Sequence, residues 1–129
     1  MEDNDSKLIE KAKADESVLA VILYGSRVRG EETPTSDRDI CLVLRPGDYS
    51  DLRLSEKKLE YLKSFDMDIQ VYQQLPVYMK TRVLREGSVL FCRDEDMLYE
   101  VAYRTAQAYE DFKHIYYSYL EEVADGPVG

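Results

Sequence analysis

Residues 23–42 read LYGSRVRGEETPTSDRDICL: the end of an apolar run, a Gly-Ser turn, a polar spacer, and two aspartates one residue apart that enter a second apolar run. Side chains two apart on a strand point the same way, so this spacing predicts Asp37 and Asp39 on one face. Two ionised carboxylates that close repel each other unless a cation, a shared proton or open solvent relieves them. A pair of divalent ions about 3.5–4 Å apart is the usual relief in enzymes that exchange one phosphate oxygen for another. Magnesium suits the task, because it takes oxygen ligands and keeps positions open for substrate phosphates. Gly25 lets the backbone approach a ligand closely, and Ser26 adds a hydroxyl and an N–H at the start of a predicted helical turn, where anions are favoured. The stretch therefore predicts a site for a metal-bound nucleoside triphosphate; the plain alternative is a solvated acidic turn.

Working outward, Val18 to Tyr24 reads as a buried strand that ends at Gly25, and a second strand runs from about Arg38 to Leu44. Upstream, residues 6–15 form a short helical pattern with Ser6 as N-cap. Downstream, Pro46 and Gly47 mark a turn before an amphipathic helix whose apolar residues recur at Leu52, Leu59 and Leu62. Phe65 to Tyr72 alternates strictly: Phe65, Met67, Ile69 and Val71 face one way, and Asp66, Asp68, Gln70 and Tyr72 the other. Pro76 opens and Gly87 closes another helix, SVLFC at 88–92 reads as a fourth strand, and residues 94–123 form one long helix before a frayed tail. This order predicts an α/β (α+β) fold over a single domain of residues 1–129, a small mixed β-sheet with helices packed on one face and a long C-terminal helix.

Composition bounds the partners. The 129 residues carry a formal net charge of −9, which repels a phosphate backbone and argues against extended nucleic-acid binding. A polyanion such as ATP binds such a chain only where metal ions and local arginines reverse the field. No apolar run approaches the roughly 20 residues of a membrane span. The acidic N-terminus lacks the layout of a secretory signal, so a cytoplasmic protein is expected. Cys41 and Cys92 lie in apolar runs without paired spacing and read as reduced core thiols.

Gly25-Ser26, a spacer of ten residues and Asp37-Arg38-Asp39 together resemble the signature of the polymerase-β-like nucleotidyltransferases. The more particular forms GSRVRG at 25–30 and SDRD at 36–39 resemble the minimal nucleotidyltransferases, the MNT proteins. The likeness continues through Met67-Asp68-Ile69, Leu84 to Gly87 and Leu90-Phe91, and so covers most of the chain. It departs at Arg38, a position that is usually apolar in that family. The resemblance implies that Asp37 and Asp39 bind Mg²⁺ and that Asp68 completes the metal site and helps deprotonate an acceptor hydroxyl. Asp66, on the same predicted strand face, competes for that third role. Gly25 and Ser26 would hold the triphosphate, with Arg27 and Arg29 as candidates to neutralise phosphate charge. It further implies a protein adenylyltransferase of the antitoxin type, which moves AMP from ATP onto a tyrosine of a helical HEPN RNase toxin. Two alternatives stay open: an antitoxin that neutralises its partner by binding alone, and a transferase acting on a small hydroxylated molecule.

The remaining candidates read mostly as ordinary surface. His114 is the single histidine, so histidine-based acid–base or zinc chemistry lacks company. Lys80, Arg82 and Arg85 read as a charged helix face that could alternatively approach the acceptor. Along the last helix Leu98, Thr105, Phe112 and Tyr119 recur every seven residues, with Val101, Ala108 and Ile115 between. That stripe packs on the protein's own sheet or seats a partner; self-association is also open. Tyr116, Tyr117 and Tyr119 are candidate partner contacts at its end.

Overall fold

The computed structural model describes residues 3–25 and 39–125. Four strands, β1 (Val18–Tyr24), β2 (Asp39–Leu44), β3 (Asp68–Val71) and β4 (Ser88–Cys92), form one sheet in the order β3-β2-β1-β4. β1 pairs antiparallel with both β2 and β4, while β2 and β3 run parallel. Among the described residues there are four helices, α1 (Asp3–Ala14), α2 (Asp51–Ser64), α3 (Val77–Glu86) and α4 (Glu95–Asp125), with a 3-10 turn at Tyr72–Gln74. The element types and their order follow the sequence reading.

The helices cover both faces of the sheet, not one. Ile40, Leu42 and Leu44 pack with Leu8 and Ala12 of α1 and Leu54 and Tyr61 of α2. Cys41 and Val43, the alternate residues of the same strand, pack with Val83 of α3 and Val101 of α4. The physical signal was present in the sequence, since VLAVILY and ICLVL are apolar without alternation, as strands buried on both sides must be. Only the edge strand β3 alternates, with Asp68 exposed and Ile69 and Val71 buried.

Three local expectations are corrected. α1 begins at Asp3, so Ser6 lies inside the helix instead of capping it. In α2 the buried residues are Leu54 and Tyr61, whereas Leu52 and Leu59 are exposed. The helix face between them carries Lys57, whose ammonium meets Asp15 at 2.8 Å, and a lysine in that position disguised the apolar stripe. β3 is shorter than the alternating stretch that announced it; Tyr72 lies past its end but on the face the alternation assigns it, where its hydroxyl bonds that of Thr105 on α4.

Two polar clamps tie the layers together. Asp15, just after α1, accepts from Ser17 Oγ at 2.6 Å, Lys57 Nζ at 2.8 Å and Tyr61 Oη at 3.0 Å. Burial works to raise its pKa, yet these donors outweigh it and hold the carboxyl at about 2. Arg93, just after β4, donates to the carbonyls of Val18, Ala12, Lys13 and Asp15 at 2.8–3.1 Å, and so ties the end of α1 to the start of β1.

α4 is divided. Its first turns are seated, with Val101 and Thr105 buried. From Ala106 to Val123 nearly every residue is exposed, a stretch of about 27 Å at the helical rise. The seven-residue stripe therefore packs on the sheet only as far as Thr105, and Phe112, Ile115 and Tyr119 stand in the open.

Candidate functional site

β1 ends and β2 and β3 begin at the same edge of the sheet, and this places the acidic residues. Tyr24 pairs with Asp39 across the antiparallel ladder, and Asp39 pairs with Asp68 across the parallel one. Register partners project to the same face, so the two carboxylates stand side by side on neighbouring strands. Gly25 follows Tyr24 at φ +92°, a left-handed conformation that side chains disfavour. A Cβ there would collide with Oδ2 of Asp39 and lie 3.0 Å from its Cγ. Glycine is thus required twice, by the turn and by the carboxylate packed against it.

Around this row opens a cleft of about 590 Å³, within the size range of small-molecule sites. Tyr24, Gly25, Asp39, Asp68 and Gln70 line its sheet side; Leu75, Met79 and Arg82, in and just before α3, line the other. Burial, then the nearby Cys41, Asp39 and Asp68, raises the Tyr24 pKa above its ordinary range, so its phenol stays protonated beside the acids. Cys41, one step deeper on the same face, is pushed up to about 12 by burial and fits a packed thiol.

Asp68 accepts from Gln70 Nε2 at 3.2 Å, and Gln70 Oε1 accepts from Lys58 Nζ at 3.2 Å. Asp66 is exposed, precedes the strand and does not line the cleft, whereas Asp68 does. Arg82 lines the cleft and pairs with Glu86 at 3.0 Å. Lys80 lies over the Tyr72 ring at 5.3 Å, and Arg85 is exposed. Of three helix cations that sequence treated alike, one reaches the acidic site; the helical turn that carries Arg82 from α3 over the β2–β3 edge decides this.

Ser26, Arg27, Arg29 and Asp37 lie outside the described residues. Among the described residues no group of three or more His, Cys, Asp or Glu side chains gathers as around a metal ion. Asp39 and Asp68 do form a two-carboxylate, all-oxygen donor set, the chemistry a hard divalent cation such as Mg²⁺ takes. A second cleft, of about 370 Å³ between β4, α3 and α4, is walled mainly by apolar residues such as Ile22, Val83 and Leu98. Glu95 is its single carboxylate. No helix among the described residues is long and apolar enough to cross a membrane.

Comparison with known proteins places the chain in a family. The chain is 32% identical over 97 residues to a Methanocaldococcus jannaschii protein named "Putative protein adenylyltransferase MJ1547", covering 74% of this chain and 73% of that one. A chain of a toxin–antitoxin crystal structure with AMP-PNP superposes with a TM-score of 0.69 at 19% identity, over 94% of this chain and 98% of that one. A chain from the complex of the tri-AMPylated Shewanella oneidensis HEPN toxin with MNT antitoxin gives a TM-score of 0.64 at 18% identity, over 94% and 96%. These last two likenesses establish the shared fold. The profile of the family described as "Polymerase beta, Nucleotidyltransferase" matches residues 6–96, more than half of the chain, and the protein belongs to that nucleotidyltransferase family.

Proposed function

We propose that this protein is a Mg²⁺-dependent protein adenylyltransferase of the MNT antitoxin type, which moves AMP from ATP to a hydroxyl of a helical HEPN-type partner, a tyrosine being the acceptor. The observation that carries the reading is the row formed by Gly25, Asp39 and Asp68, a close-approach turn packed against two register-paired carboxylates in an open cleft. The M. jannaschii relative's name and the two toxin–antitoxin structures support the choice of AMP and of a protein acceptor.

In this reading Asp39 and Asp68, with Asp37, would hold Mg²⁺, which when bound supplies charge neutralisation at the phosphates. Gly25 and Ser26 would hold the triphosphate, with Arg27 and Arg29 neutralising its charge. The acceptor oxygen forms a bond to the α-phosphorus as the bond to the β-phosphate bridging oxygen breaks. Pyrophosphate leaves, and Asp68 accepts the hydroxyl proton. Arg82 supplies positive charge from the α3 wall, and the rest of catalysis is positioning of the reactants.

The projecting half of α4 favours a second reading, neutralisation by occlusion, because an exposed helix with Phe112, Ile115, Tyr116 and Tyr119 suits contact with a partner whatever the chemistry. Incubation with Mg²⁺, α-phosphate-labelled ATP and lysate from the source organism, beside Asp39→Ala, separates the two. A labelled protein band absent from the variant supports transfer. Absence of label, with a partner held equally by both proteins, supports occlusion.

A further inference from the structure

We propose that Gln70 is a positioning residue that sets the Asp68 carboxylate, and that Lys58 of α2 sets Gln70. The inference rests on the functional reading above, in which Asp68 serves a cation and an acceptor hydroxyl. Gln70 sits two residues after Asp68 on β3, so both side chains leave the same strand face. Its amide N–H donates to Asp68 Oδ1 at 3.2 Å. A glutamine amide can be turned either way, and here the second bond settles the choice: Lys58 carries only donors, so the oxygen of the amide must face it.

β3 is an edge strand, which lets a lysine from the opposite helical layer reach this face. Asp68 is itself exposed, and without a donor its carboxylate would rotate among orientations. With Oδ1 engaged by the amide, Oδ2 is the oxygen presented to the cleft chemistry. The amide also keeps the ammonium one group away from the carboxylates. A lysine bonded directly to Asp68 would compete with a cation for the same negative charge, whereas a neutral amide orients the acid and leaves its field for the ligand. Two residues after Asp66 stands Asp68, an acid and not an amide donor, so Asp66 has no counterpart of Gln70 at that spacing.

The test uses the full chain and four variants: Gln70→Leu, Lys58→Met, Lys58→Arg and Asp68→Asn. The first measurement is the shift of the Gln70 side-chain amide signals by ¹H–¹⁵N NMR, identified by their loss in Gln70→Leu; they move in Asp68→Asn and in Lys58→Met, and hold in Lys58→Arg. Amide signals insensitive to both Asp68→Asn and Lys58→Met overturn the relay. The second is Mn²⁺ affinity in the presence of α,β-methylene-ATP, read by electron paramagnetic resonance. Gln70→Leu weakens it about tenfold, the loss of one hydrogen bond to a charged group, at an unchanged thermal midpoint. Lys58→Met weakens it less, and Lys58→Arg restores it. Wild-type binding with Gln70→Leu equal to it overturns the inference alone, while a wild type that binds no Mn²⁺ with the nucleotide overturns the functional reading beneath it.

Discussion

Asp39 and Asp68 are register partners at the first positions of two adjacent parallel strands, 29 positions apart in the chain and side by side at one edge of the sheet. Neither strand is long, and the pair exists because the crossover from β2 through α2 returns the chain in register. Replacing either residue removes an oxygen donor from the cleft. Asp39→Ala and Asp68→Ala are each expected to lower AMP transfer at least about a hundredfold with an unchanged circular dichroism spectrum. Transfer within a few-fold of wild type in either variant would discard the assignment.

Gly25→Ala tests the turn. The new Cβ faces a positive φ and the Asp39 carboxylate together, so the variant should lose about 1–3 kcal/mol in urea unfolding and most of its nucleotide affinity. Wild-type values for both would mean that the turn relaxes without consequence.

Asp15 links stability to acid. Its folded pKa of about 2 lies below the ordinary 3.8, so its contribution is present above about pH 4 and is lost as pH falls through 2. The difference corresponds to about 2 kcal/mol at neutral pH. Urea unfolding of Asp15→Asn should show a loss of that order at pH 7 that shrinks between pH 4 and 2; a difference constant over that window would contradict the mechanism.

Arg93 is a structural clamp with no place in the cleft. Arg93→Met should cost about 2–3 kcal/mol by leaving several carbonyls of the α1 terminus and β1 without their charged donor. Lysine, with one compact ammonium in place of the fork, should recover less than half of that, measured by thermal unfolding.

Ending the chain after Asp111 removes, among the described residues, a stretch of helix that is exposed from Phe112 to Val123. The thermal midpoint should move by no more than about 3 °C, and nucleotide binding should persist. A large drop in the midpoint would show that the distal half of α4 folds back onto the domain in solution. Retained binding of the partner that the labelling experiment reveals would remove α4 from the docking surface.

Much of this was readable from residue order alone. Periodicity located the four strands and four helices of the described residues, because apolar runs bounded by Gly25, Pro46-Gly47, Pro76 and Gly87 leave few other assignments. The Gly-Ser turn and spaced aspartates pointed to the acidic cleft, since a turn of that kind and paired like charges each carry a physical demand. The buried face of α2 was misread because Lys57 sits within it, neutralised by an aspartate that lies 42 positions away. Helix layers on both faces were missed although the unbroken apolar strands announced them.

Local chemistry along the chain thus determined which segments are strands and helices, and which few residues are chemically unusual. Only packing in three dimensions decided which of those residues meet. Strand register set Asp68, not Asp66, beside Asp39, and the orientation of α3 brought Arg82 to the cleft while Lys80 and Arg85 went elsewhere. The reason is that spacing within one element is fixed by backbone geometry, whereas the distance between elements depends on how every other side chain fills the layers between them.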